Sequence, residues 1–208
     1  MTTFDRRSFC DKCVMLQGWG MANSFSRFIS SVFGNSVSKP NAQAAGNPWP
    51  DGLQYLFIEP SKKDVWEALD GWKWIGLDGL EPTAVSAFGD IFFRAPDGSI
   101  KLLDMIGGRS TQVSKTWPAL IAQLADPGRR DELLLAGLAA AARKKGLVLA
   151  DGECYDFETP PVLGGEMSAK QIEKTLFVVK VHIAGQIHRQ VKDLPHGTKI
   201  NKVTIGDR

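Results

Sequence analysis

The sequence predicts an α+β domain, a single compact unit in which a largely antiparallel sheet packs against a few helices, preceded by a poorly ordered N-terminal tail. Three observations carry that expectation. Apolar runs of strand length come first, helical periodicities follow, and further strand candidates with one helix close the chain. A complete hairpin signal lies between residues 90 and 104. Composition also changes near residue 50, where a stretch of small residues and turn formers gives way to dense apolar runs, so that 1–50 reads as tail and linker and 51–208 as the domain.

In the tail, Arg6-Arg7-Ser8-Phe9 has the form of a twin-arginine export signal, and Ala42-Gln43-Ala44 that of a small-residue cleavage site. Asp11 and Lys12 follow the arginines directly, Val14-Met15-Leu16 is a very short apolar run, and Arg27 interrupts any longer one, which argues against export. Met21 offers an alternative translation start. Cys10 and Cys13 form a lone CxxC with no second pair, and His182, His188 and His196 lie far downstream, so a zinc site lacks its other half. With Cys154 the cysteines number three, which fits a reducing, cytoplasmic compartment better than a disulfide scaffold.

Within the domain, residues 53–58 read as a short strand ending at Pro60, and Ser61-x-x-Asp64 opens a helix that Gly71 stops near Asp70. Trp72-Lys73-Trp74-Ile75 alternates and reads as a strand. The hairpin joins residues 90–94 to 100–104 through Ala95-Pro96-Asp97-Gly98-Ser99, where proline presets one turn dihedral and glycine accepts a positive φ. Trp117, Leu120, Ile121 and Leu124 recur at helical spacing, and Asp126-Pro127 supplies a cap and first-turn proline for one helix running to about Lys145 before Gly146. Residues 154–157 read as a strand, 159–165 as a turn and 176–182 as a strongly β-prone run. Ile183, Ile187, Val191 and Leu194 then make one helical stripe before Pro195.

Of 208 residues 43% are hydrophobic, which suffices for a sizeable core, and no apolar run approaches the roughly 20 residues of a bilayer span. The net charge of +2 is no footprint for nucleic-acid binding. That average hides a separation, because residues 1–50 carry +3, residues 51–166 carry −6 and residues 167–208 carry +5. The acidic middle suits a basic partner.

Catalytic templates are absent. Gly107-Gly108-Arg109-Ser110 and Gly164-Gly165 lack the phosphate-cradling patterns and read as turns, and there is no GxSxG elbow, HExxH pair or EF-hand loop. No cofactor or metal is marked. Cys154 with a remote histidine could form a nucleophilic pair, yet nothing nearby in sequence lowers a thiol pKa. His182 and His188, six residues apart, suit structural roles better than ligation. Trp66, Trp72 and Trp74 crowd nine residues and serve as core, as a sugar platform or as an interface anchor, with core the default.

Five segments in order carry a family resemblance over roughly residues 60–200: 87–93 (Ala-Phe-Gly-Asp-Ile-Phe-Phe), 100–104 (Ile-Lys-Leu-Leu-Asp), 154–157 (Cys-Tyr-Asp-Phe), 161–166 (Pro-Val-Leu-Gly-Gly-Glu) and 181–190, with Leu194-Pro195 after it. Together they resemble the C-terminal domain of the type VI secretion DNase-immunity proteins, a family long catalogued as a domain of unknown function. The resemblance implies a small cytoplasmic bacterial protein, without catalysis of its own, that binds a cognate toxin and blocks it. A GAD-related domain often precedes this one in that family, and the first 50 residues are too short and too polar to be recognised as it.

The leading expectation is therefore an immunity protein that occludes a nuclease toxin, since nucleases present basic clefts to which carboxylates are complementary. Asp78, Glu81, Glu153, Asp156 and Glu158 are the candidate contacts. A 1:1 or 2:2 complex, the latter through a homodimer, is open at this stage. So are two other readings: a small-ligand or metal-dependent enzyme using His182, His188 and Cys154, and a housekeeping interaction domain.

Overall fold

The computed structural model describes residues 49, 52–195 and 197–206. The export-like motif, the CxxC pair, Met21 and His196 lie outside them. Strands β1 (Phe57–Ile58), β2 (Glu81–Ser86), β3 (Ile91–Arg94), β4 (Ile100–Asp104) and β5 (Arg109–Ser114) form one antiparallel sheet in chain order. A second, two-stranded ribbon pairs β6 (Glu153–Phe157) with β7 (Ile172–Leu176). The helices are α1 (Lys62–Ala68), α2 (Trp117–Gln123), α3 (Pro127–Leu134), α4 (Ala136–Lys144) and α5 (Phe177–Val191). The expected α+β class with an antiparallel sheet is what forms.

The expected hairpin is present in the register Ile91↔Leu103 to Arg94↔Ile100. Its continuous apolar run follows from burial on both sides. Phe92, Ile100 and Leu102 face a core shared with Leu120, Leu134, Tyr155 and Phe157, while Ile91, Phe93 and Leu103 face Trp72, Phe177 and Val181. The large sheet is thus the middle of three layers, and successive side chains serve opposite cores because strand side chains alternate.

Several local expectations are corrected. Only residues 57–58 of the expected first strand pair with the sheet, because 54–56 wind into a 3-10 turn that buries Leu56. Residues 72–75 are not a strand but belong to a 3-10 helix, Leu69–Ile75. Its tryptophans serve α5 instead of a ladder: Trp72 Nε1 donates to the Val181 carbonyl at 2.8 Å and Trp74 Nε1 to that of Gly185 at 3.1 Å. The expected single helix over 127–145 is two, broken at Leu135 with φ +51°. A continuous helix turns 100° per residue and could not bury three neighbours on one side; the left-handed step puts Leu133, Leu134 and Leu135 into the core together. The caps at Ser61, with its Asp64 capping box, and at Asp126 are as the sequence indicates.

The largest correction is α5. Residues 177–182 are helical, although their β-branched content reads as strand. Phe177, Val179, Val181, Ile183 and Ile187 are all buried, so the helix is apolar nearly all round and lies between two cores. It approaches the 3-10 helix backbone to backbone. A methyl group on Gly185 would stand 2.5 Å from the Gly71 carbonyl, and one on Gly71 would strike the His182 carbonyl oxygen. Gly185→Ala should therefore cost about 3 kcal/mol of stability by overpacking. A urea-unfolding midpoint equal to that of the parent would contradict this close approach.

Candidate functional site

The ribbon is tied to the large sheet at two points. The Tyr155 amide donates to the Ala87 carbonyl at 2.7 Å, and α5 sends the buried side chain of Lys180 into the same junction. Lys180 Nζ donates to the carbonyls of Phe88 (2.8 Å) and Tyr155 (2.6 Å) and pairs with Asp156 Oδ1 at 3.2 Å. Three ammonium protons find three acceptors, which is the condition under which a buried lysine is tolerated. Asp90 completes the junction from the sheet side. Its carboxylate is buried and accepts from Ser86 Oγ and the Met105 amide, so it fixes the chain between β2 and β3.

Asp156 in turn faces outward among other carboxylates. It is the direct cross-strand partner of Glu173, and Glu158, two residues along the same face, continues the pairing through its amide bond to the Gln171 carbonyl. Burial, with the charges of Asp156 and then Glu158, raises the Glu173 pKa above the ordinary glutamate value. Like charges placed opposite one another oppose folding, and only Asp156 has the ammonium of Lys180 beside it.

The five residues expected from sequence separate in space. Asp156 and Glu158 share this face. Glu153 belongs to the other face, because strand side chains alternate, and there it is bonded to Lys174 Nζ at 2.7 Å. Its pKa is lowered by that bond and by the Ala150 amide, against the opposing effect of burial. Asp78 and Glu81 lie at the far end of β2 from the ribbon junction; Glu81 is paired in register with Arg94. Glu173 was missed, since only the β6–β7 register reveals it as the neighbour of Asp156.

Of the residues of the enzyme reading, Cys154 and His188 are core and His182 is half-buried. Cys154 is buried, and burial pushes its thiol up to about 12 despite Lys180 nearby. A thiol held protonated is neither nucleophile nor metal ligand. His188 is buried against the Trp72 ring at a centroid distance of 5.5 Å, and its Nε2 lies 2.9 Å from the Met105 carbonyl. Burial lowers its pKa, so the ring is neutral and donates that bond. Gly108 lies so close that a side chain there would collide with the imidazole. His182 pairs along the helix with Gln186 at 2.8 Å. Among the described residues no cluster of His, Cys, Asp and Glu is arranged to hold a metal ion. Trp72 is core, whereas Trp66 is 52% exposed.

A cleft of about 360 Å³ lies on the Glu153 side of the ribbon, between residues 54–60, the end of α4 and residues 148–152. Arg143 lies over the Tyr55 ring at 4.8 Å within it.

Comparison with known proteins gives one family. Residues 116–188 match the family described as T6SS immunity protein Tdi1, C-terminal. The matched span runs from the cap of α2 into α5 and contains the whole ribbon, with Asp156, Glu158, Glu173 and Lys180. It supports a type VI secretion immunity family. No curated protein matches the chain. Among solved structures, the crystal structure of Atu4351 from Agrobacterium tumefaciens is similar at 20% identity and a TM-score of 0.41, over 62% of this chain and 65% of that one, slightly under two-thirds of its length. Among the described residues no helix is long and apolar enough to cross a membrane.

Replacing Glu173 by glutamine removes the like-charge opposition. Glu173→Gln should raise stability by about 0.5 kcal/mol near pH 7. Because the folded state raises the Glu173 pKa, it binds that proton more tightly than the unfolded chain, and acidification favours the fold until the ordinary glutamate value is passed. The advantage of the variant should accordingly shrink as the pH is lowered towards about 5. Chemical unfolding at both pH values checks this, and a variant less stable than the parent near neutrality would contradict it.

Proposed function

We propose that this chain is a non-enzymatic, cytoplasmic immunity protein that binds a cognate type VI secretion toxin, a nuclease, and blocks its active site. The observation that carries the reading is the match of residues 116–188 to the Tdi1 C-terminal family, a span that includes the carboxylate face of the ribbon. Asp156, Glu158 and Glu173 are offered to the toxin as a group. Their mutual repulsion is relieved when a basic surface arrives, so binding recovers free energy that folding gave up. A nuclease cleft built for phosphates supplies such a surface. Asp78 and Glu81, a strand length away, are available to a separate contact, and Glu153 meets its partner only by exchanging Lys174.

Co-expression with the product of the neighbouring gene, where an immunity protein's toxin is expected, tests the reading. Cells should be rescued, and the two proteins should co-purify as a complex that weakens with salt. The double variant Glu158→Lys, Glu173→Lys should lower affinity by about tenfold or more while retaining its circular dichroism. Neither rescue nor co-purification by the parent protein would sink the proposal. A complex indifferent to both salt and the double variant would remove the acidic ribbon from it.

A further inference from the structure

The cleft on the opposite face of the ribbon has a chemistry of its own. Its wall joins aromatic and aliphatic surface, Tyr55, Ile58 and Val148, to two carboxylates, Glu59 and Asp151. Among the described residues neither carboxylate has a cationic partner. The guanidinium of Arg143 is held over the Tyr55 ring and keeps its charge, so the lining sets two carboxylates against one cation and is negative by one. An anion would meet two carboxylates and one guanidinium here, whereas a cation would find two acceptors beside apolar wall.

Exposed apolar side chains mark the same place. Four large ones stand out among the described residues, at Trp66, Val148, Leu176 and Leu194. Val148, 63% exposed, is in the cleft wall. Leu176, 50% exposed, lies opposite Glu153 in register, on the strand face that carries Lys174 and Tyr155; Tyr155 lines the cleft and Lys174 Nζ reaches the Val148 carbonyl. Val148 thus belongs to the cleft wall, and Leu176 stands beyond it on the same face of the ribbon. The cleft's volume of about 360 Å³ is at the lower end of ligand-sized clefts and suits one long side chain with its neighbours. Lysine and arginine combine an aliphatic stem with a charged head, and so match this wall and this mouth together.

We propose that the cleft is a docking subsite for a basic, aliphatic segment of the toxin, receiving a lysine or arginine head at Glu59 and Asp151 and aliphatic neighbours at Val148 and Leu176. This rests on the toxin-binding reading, and deepens it by giving the partner a second point of attachment on the reverse of the acidic ribbon.

Calorimetric titration of the full chain with the peptide Ac-Leu-Lys-Val-Arg-Leu-NH2, and with Ac-Leu-Glu-Val-Glu-Leu-NH2 as its acidic counterpart, tests the chemistry without the toxin. The basic peptide should bind and the acidic one should not. Affinity should fall about tenfold in Glu59→Lys, Asp151→Lys and separately in Val148→Asp, and should be unchanged in Glu67→Lys, an exposed charge reversal on α1 outside both faces of the ribbon. No binding by the parent, equal binding of both peptides, or cleft variants that bind normally would overturn the proposal. The toxin complex separates the two claims. A complex that survives Glu59→Lys, Asp151→Lys undiminished overturns the docking role and leaves the ribbon reading standing. Peptide binding with no toxin complex at all supports the cleft's chemistry and sinks the toxin reading.

Discussion

The ammonium group of Lys180 is the contact on which the arrangement of the two sheets depends. It is buried, and its acceptors come from two separate places: the Phe88 carbonyl between β2 and β3, and the Tyr155 carbonyl with Asp156 on β6. One side chain on α5 thereby fixes the ribbon against the end of the five-stranded sheet. Removing it would leave two carbonyls and a carboxylate without their cation, a loss of about 3–5 kcal/mol for a buried pair. The position of α5 follows from its own constraint, the contact between Gly71 and Gly185, which admits no side chain and brings both indole N–H groups onto α5 carbonyls.

This junction has a consequence for the surface. Lys180 holds Asp156 from beneath, and the β6–β7 register sets Glu173 opposite it, with Glu158 two residues along the same face. Folding alone would favour a neutral residue at 173. Sites that bind charged partners often run against local stability in this way, which is the physical ground on which this face is proposed as the contact. Glu153 offers the contrast. One residue from Cys154 and on the other side of the strand, it is ion-paired and hydrogen-bonded, and carries no such strain.

Much of the fold is legible in the sequence where local signals agree with tertiary demand. The Pro-Asp-Gly loop of the hairpin, the Ser61–Asp64 capping box and the Asp126-Pro127 start all form as written. The failures share a cause. Phe177-Val178-Val179 reads as strand because a short apolar run has no period that separates a strand from a helix buried on all sides. Trp72 and Trp74 alternate like strand residues, but their partners are carbonyls more than 100 residues away in the chain. The break at Leu135 carries no glycine or proline to announce it, since it is imposed by the burial of three consecutive leucines. Of the site, Asp156 and Glu158 were legible as acidic residues near a turn. Their separation from Glu153 and their union with Glu173 depend on strand phase and register, which no single stretch of sequence contains.

Amide hydrogen exchange on Lys180→Met, compared with the parent, tests the central claim that this side chain holds the ribbon to the sheet. Protection should fall across residues 153–157 and 172–176, while the amides of Ile91–Arg94 and Ile100–Asp104 keep theirs. Unchanged protection in the ribbon, or an equal loss across both sheets, would contradict it.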